Sequence, residues 1–413
     1  MQRPKCWLGA ALGALALVGT YGCSGDGSAP DGDTSADSDV GSDTAGGGLP
    51  GASGGAGAVG GAGGAVGGTG GGDGTGGATG GTGGAIGGTG GSDGTGGAAN
   101  CPLPATFSWT SSGVLAQPKS PAGANWVSMK DFSVARHDDH YVVYATVFND
   151  VAEGQPNRSW QGVFLQFDDF AEMGAASQTF KGGMVAPQIM YFAPKNLWVL
   201  SYQWGFKYAT STNPSNPASW SAASNLLGND PTVGGPAGTG PIDQTIICDD
   251  TTCYLFFAGD NGVIYRGSLP IGSFPGTFTN AAAIMQDEKF KLFEAVEVYK
   301  IKGEQKYLML VEAGDGGPRY FRAFTATSLG GSWTAMPQAS TRATPFAGGN
   351  NVTFPGGKWT DDISHGDLVR DDPSEKKEID VCNLRLLYQG RNPAVGGDYG
   401  QLPYRPGLLT LVH

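Results

Sequence analysis

From residue 101 onward the chain is punctuated by short apolar runs rich in Val, Ile, Tyr, Phe and Trp, each bounded by Gly, Asn, Asp or Pro. The clearest lie at 140–148, 162–167, 197–203, 252–258, 262–268, 306–312, 319–325, 385–389 and 408–412. These are strand-length segments separated by turn signals. Leu, Ala, Glu and Lys at helical spacing are missing apart from short pieces, so the pattern predicts a mostly β fold. So many short strands over 101–413 suit an all-β propeller, which closes its strand edges radially, better than a single sandwich or a β-helix.

The pattern changes abruptly upstream. Residues 24–100 are Gly, Ser, Thr, Asp and Ala with almost nothing to bury, acidic first (Asp26, Asp31, Asp33, Asp37, Asp39 and Asp43) and then a near-repeat of Gly-Gly-Thr-Gly-Gly type. Such a composition cannot offset its conformational entropy, so a disordered linker is expected there. Before it, Arg3 and Lys5 precede an apolar run from Trp7 to Val18 and then Cys23. That is the layout of a secretory signal, and the run is too short to span a membrane. Thr20-Tyr21-Gly22-Cys23 is similar to a bacterial lipoprotein cleavage site, in which Cys23 would carry the lipid, although Tyr21 stands where a small residue is usual. The expected organisation is therefore a signal peptide at 1–23, a linker at 24–100 and one folded unit at 101–413, secreted or held on the bacterial envelope by a lipid anchor.

Export implies an oxidising compartment. Of six cysteines, Cys6 and Cys23 fall in the leader, leaving four that can pair in three ways. We favour Cys248 with Cys253 across a tight turn, and Cys101 with Cys382, which would staple the start of the domain to its end. The net charge of −12 argues against a nucleic-acid partner. A neutral polysaccharide needs no basic patch, and several tryptophans are available to stack on sugars. With only four histidines, a multi-histidine zinc site is not expected.

Three carboxylates stand out beside strand-like runs: Asp131 after Lys130, Asp243 after Pro241-Ile242, and Glu294 after Leu292-Phe293. Glycoside hydrolysis uses one carboxylic acid to protonate the leaving oxygen and one carboxylate on the opposite face of the ring. A third can hold their protonation states apart. Glu297, three residues beyond Glu294, is expected on the opposite face of a regular strand.

In Trp126-Val127-Ser128-Met129-Lys130-Asp131, Ala186-Pro187-Gln188, Ser201-Tyr202-Gln203-Trp204, Leu292-Phe293-Glu294-Ala295, Asp362-Ile363-Ser364-His365-Gly366 and Leu402-Pro403-Tyr404-Arg405, the chain resembles glycoside hydrolase family 62. These are α-L-arabinofuranosidases acting on arabinoxylan, and the likeness runs from about Cys101 to the C-terminus. The resemblance implies a five-bladed β-propeller and an inverting mechanism, with Asp131 as general base, Glu294 as general acid and Asp243 as the residue that tunes and orients the acid. It also implies that Lys130, Trp204, Tyr399 and Tyr404 bind substrate. His365, with Gln244 beside it, would lie near one structural calcium ion on the propeller axis. Asp367 stands where a Glu is usual, and Phe132 where a Pro is common. The expected protein is a monomeric, exo-acting enzyme that removes arabinofuranosyl side chains from arabinoxylan or its oligosaccharides. The alternatives are another propeller furanosidase or xylosidase, or a carbohydrate-binding propeller without catalysis.

Overall fold

A computed structural model describes residues 101–413. The expected leader and linker, including Cys23, lie outside the described residues. Five sheets of four or five strands make up this region, and its only helices among the described residues are single 3-10 turns. Each sheet is one blade of a five-bladed β-propeller. Blade I has its inner strand at Trp126–His137, blade II at Val185–Phe192, blade III at Ile242–Cys248, blade IV at Glu294–Ile301 and blade V at Ser364–Leu368. The inner strands pack side by side around the axis.

Blades I to III are antiparallel meanders in chain order. Blade IV gains a two-residue strand, Glu378–Ile379, parallel to its inner strand. Blade V is built from both ends of the described chain. Trp109–Ser111 pairs antiparallel with Leu409–Leu411 and parallel with Val352–Thr353. Trp109 is fully buried there, its indole N–H donating to Phe346 O at 2.6 Å, so the ring closure has a hydrophobic anchor as well as a ladder. Apolar side chains fill the spaces between blades, such as Tyr299, Leu310 and Phe346 with Leu386 and Leu409 between blades IV and V.

Both expected disulfides are present, Cys101–Cys382 and Cys248–Cys253. The first spans 281 residues of sequence and ties the N-terminal segment beside blade V. The second joins neighbouring antiparallel strands at directly opposed positions.

The outer strands fall close to the apolar runs in the sequence: Leu197–Gln203 and Thr252–Ala258 coincide with them, and Tyr307–Ala313 and Tyr320–Ala326 are displaced by one residue. The inner strands are a different matter, since their polar residues and irregular register hide them from a search for alternation. All five carry a shift in register, mid-strand at 130–133 in blade I and near one end at 185–188, 242–245, 294–297 and 364–366 in the others.

Replacing Cys101 and Cys382 together by Ser should lower the unfolding free energy of the full chain by about 2–5 kcal/mol, towards the upper end because the closed loop is so long. Urea denaturation of variant and parent under non-reducing conditions measures it; equal midpoints would show that the ladder at Trp109 closes the ring unaided.

Candidate active site

The register shifts create the site. A bulge puts two residues opposite one, bends the strand and re-aims a side chain. In four of the five inner strands the residue at the shift has a positive φ: Asp131 at 54°, Ala186 at 42°, Asp243 at 53° and Ala295 at 52°. His365 occupies the corresponding place in blade V. Asp tolerates the left-handed conformation better than most residues, because its short polar side chain finds local partners.

Each of these five bulge residues has a backbone N–H that the sheet leaves unpaired, and each is satisfied by a side chain of the preceding blade. Asp131 N donates to Gln389 Oε1 of blade V at 2.7 Å, and Ala186 N to Thr146 Oγ1 of blade I at 2.9 Å. Asp243 N donates to Gln203 Oε1 of blade II at 2.8 Å, and Ala295 N to Asp243 Oδ2 of blade III at 2.8 Å. His365 N donates to Glu312 Oε2 of blade IV at 2.8 Å. The bonds form a closed ring around the axis.

Asp131, Asp243 and His365 thereby meet. His365 Nδ1 lies 3.2 Å from Asp131 Oδ1 and 3.6 Å from Asp243 Oδ2, with all three residues buried. Burial pushes the imidazolium towards neutrality, but Asp243 and Asp131 outweigh it and hold the ring protonated, with a pKa raised to about 10. Burial likewise pushes Asp131 up, yet Lys130 and the charge and hydrogen bond of His365 bring it down to about 2. Asp243 goes the other way. Burial raises it, His365 opposes, and the charges of Glu294 and Asp131 add to the rise, leaving it near 7. Two carboxylates on one imidazole are thus driven apart in proton affinity.

Glu294 stands one residue before Ala295, whose N–H Asp243 holds. Its carboxylate is paired with Arg319, which also pairs with the fully buried Glu312. Glu312 in turn accepts from Ser364 Oγ and His365 N. Arg319 and Glu312 escaped the sequence reading because each sits in or beside an ordinary outer strand; only a charge at the end of an apolar run marks Glu312.

Lys130 is buried, with Nζ 3.8 Å from Asp131 Oδ1 and hydrogen-bonded to the Tyr399 hydroxyl. It lies over the rings of Tyr399, Trp160 and Tyr404 at 4.3, 4.9 and 5.5 Å. Tyr399 and Tyr404 therefore both belong to this cluster, and Trp160 joins them. Trp204 follows Gln203, the residue that holds Asp243, and half of its surface is exposed. Gln244 is buried, donating from Nε2 to Ala186 O at 2.9 Å, while its Oε1 has no hydrogen-bond partner among the described residues. An orphaned buried oxygen is the donor type that calcium takes. Among the described residues no three His, Cys, Asp or Glu side chains are grouped to hold a metal.

Glu297 is kept from the site, though not by simple alternation, since the bulge interrupts the strand between it and Glu294. Its carboxylate is paired with Lys377 and accepts from Thr245 Oγ1 at 2.9 Å. Nearby Asp367 is fully buried and accepts from Ser133 Oγ, Tyr299 OH and Arg370 NH1. Together these groups form a charged, hydrogen-bonded plug, and the substitution of Asp for the usual Glu at 367 falls within it.

A β-propeller whose inner strands bring two carboxylates with opposed proton affinities and a third, arginine-paired carboxylate together beside a lysine held among aromatic rings has the site of a glycoside-cleaving enzyme. The chain belongs to glycosyl hydrolase family 62, whose family model matches residues 108–410. It is 42% identical over 320 residues to the α-L-arabinofuranosidase C of Cellvibrio japonicus (strain Ueda107), covering 75% of this chain and 48% of that protein. The chain thus spans about half the length of this curated relative. Among solved structures, the catalytic domain of a Coprinopsis cinerea family 62 α-L-arabinofuranosidase matches with a TM-score of 0.69 and 41% identity, over 75% of this chain and 98% of that one. A family 62 hydrolase in complex with xylotriose matches at 0.67 and 33%, over 74% and 98%.

One carboxylate near the site is poorly served. Asp260 is buried at a φ of 52°, its Oδ1 has no hydrogen-bond partner among the described residues, and Lys289 comes no nearer than 4.0 Å. Burial and the charge of Glu294 raise its pKa to about 7. Because the folded value lies above the unfolded one, its stability cost develops as pH rises from near 3.8 and is complete above about 7. Asp260→Asn keeps a residue tolerant of positive φ and should raise stability by roughly 1–3 kcal/mol at pH 8 with no gain at pH 4. Thermal melts at the two pH values test this; an equal gain at both would mean that charge is not the cause.

Proposed function

We propose that this chain is an exo-acting α-L-arabinofuranosidase that removes arabinofuranosyl side chains from arabinoxylan with inversion at the anomeric carbon. The observation that carries the reading is the shared imidazole: His365 faces Asp131 and Asp243 together, while Asp243 also holds the backbone at Ala295 beside Glu294. Family membership and relatives described as α-L-arabinofuranosidases support the sugar, and the relative holding xylotriose supports a xylan backbone.

In this reading Asp131 is the general base. Lys130 and His365 keep it ionised, so it can take a proton from water as the water attacks the anomeric carbon. Glu294 is the general acid, protonating the xylosyl oxygen as the glycosidic bond breaks. Asp243 orients that acid through its hydrogen bond to the Ala295 backbone N–H. Lys130, Tyr399, Tyr404 and Trp204 bind the sugar: the ammonium donates to hydroxyls and the rings bound the pocket. Gln244 Oε1 and, through water, His365 would hold one calcium ion, which would supply positive charge near the axis and favour the neutral imidazole over the imidazolium. The Cys23 and linker features fit export and a lipid anchor on the envelope, with a monomeric catalytic unit.

Asp131→Asn and Glu294→Gln should each lower arabinose release from arabinoxylan by at least about 100-fold while leaving the fold intact. Glu297→Gln should retain far more activity and lose stability instead, since it removes the charge partner of buried Lys377. An active Glu294→Gln alongside a well-folded, inactive Glu297→Gln would reverse the assignment of the acid.

Proton NMR during the first turnovers should show the β-anomer of arabinose before mutarotation, because one displacement inverts the α-linkage. Initial α-anomer would mean a double displacement, and no arabinose at all would mean a binding propeller. Chelation should lower the melting temperature and added calcium restore it, with Gln244→Ala insensitive to both; identical melts with and without chelator would remove the ion from the scheme.

A further inference from the structure

Beside the aromatic cluster lies a groove of about 470 Å³ on blade V. It is lined by Lys358, Trp359, Asp361, Arg391, Pro403 and Arg405 among others. Pro403 and Arg405 flank Tyr404, a ring approached by Lys130 at 5.5 Å and by Arg391 at 6.0 Å. Groove and pocket therefore share a wall. A second link runs through Asp362, whose Oδ1 accepts from the backbone N–H of Arg319, the partner of Glu294, and whose Oδ2 lies 3.1 Å from Arg391 Nε.

The groove's charge runs against that of the chain. Three cations line it against one lining carboxylate, Asp361, paired with Lys358; Asp362 pairs with Arg391, which leaves Arg405 as the uncompensated charge in a protein of net charge −12. Arg405 is the telling member. Its Nε donates to Gln117 Oε1 and its NH1 to Val127 O at 2.8 Å and Tyr404 O at 2.7 Å, all neutral acceptors. No carboxylate among the described residues pairs with this guanidinium, and its partial burial alone pushes its pKa down. A half-buried cation without a counter-charge is costly to keep, and a neutral arabinoxylan gives no reason for it. Its NH2, like that of Arg391, carries no hydrogen bond to the described residues. The indole of Trp359 is held by its N–H donating to Ser112 O at 3.1 Å, and the rings of Trp359 and Pro403 supply apolar surface of the sort that sugar faces pack against.

We propose that this groove binds a uronic acid branch of the xylan backbone, its carboxylate accepting hydrogen bonds from the guanidinium groups of Arg391 and Arg405 while an arabinose of the same chain occupies the axial pocket. The proposal rests on the arabinofuranosidase reading and adds a preference to it: acidic xylans, branched with both arabinose and uronic acid, are favoured over neutral ones. Lys358, half exposed at the rim, adds long-range attraction.

The test compares initial rates on an arabinoxylan bearing uronic acid branches with rates on the same polymer after chemical reduction of its carboxyl groups. KM on the acidic polymer should be lower by about five-fold or more, the scale of one charge-assisted hydrogen bond, with kcat within about two-fold. Arg405→Gln and Lys358→Gln should each pull the KM ratio towards one; a ratio reads the groove even where Arg405→Gln lowers total activity through its anchoring of Val127. Titration calorimetry with a uronic-acid-branched xylan free of arabinose should detect binding that equimolar inorganic phosphate does not displace. A KM ratio of one in the parent enzyme, a ratio unchanged in both variants, or displacement by phosphate overturns the proposal. Failure to release arabinose from either polymer would instead overturn the activity on which it rests.

Discussion

Everything in the pocket depends on five backbone N–H groups that the sheets cannot satisfy. A buried donor without a partner costs about as much as a lost hydrogen bond, and the bulges create one such donor per blade. Each is met from the blade before it, by Gln389, Thr146, Gln203, Asp243 and Glu312. Blade closure and side-chain aim are therefore one event. A blade out of place would strand a donor on its neighbour and swing a bulge residue away from the axis.

Two of those five acceptors are themselves acidic, and both lie within the charged cluster. Asp243 accepts from Ala295 while facing His365, and Glu312 accepts from His365 while sharing Arg319 with Glu294. Structural and chemical roles are thus fused at these positions. The plug formed by Glu297, Lys377, Asp367 and Arg370 continues the same logic: charges this buried persist only when paired and hydrogen-bonded, and here each has a partner. It gives the polar side chains of the inner strands a fixed floor.

The outer strands were legible because they are short, near-continuous apolar runs rich in aromatic and aliphatic residues, as in Leu197–Gln203 and Thr252–Ala258. The inner strands were not, since Lys130-Asp131, Asp243-Gln244 and Ser364-His365 read locally as turn or surface chemistry. Their role comes from a ring of neighbours far away in sequence, which no local pattern encodes. The carboxylates Asp131, Asp243 and Glu294 could be singled out by chemistry, and resemblance supplied the roles expected of them. Arg319 and Glu312 could not, because what distinguishes them is mutual pairing across a blade. Alternation does not account for the placement of Glu297, because the bulge adds a residue between it and Glu294.

Of the five equivalent stations around the axis, Asp131, Asp243 and His365 carry ionisable side chains, while Ala186 and Ala295 carry only a methyl group. A pseudo-symmetric frame thus holds an asymmetric constellation. The backbone at each station is secured from outside, by the preceding blade, so at most stations the occupant can change without loosening the frame. Asp243 is the exception, because it also secures its neighbour. Substitution is accordingly most constrained at Asp243, where one change alters the charged cluster and the scaffold together.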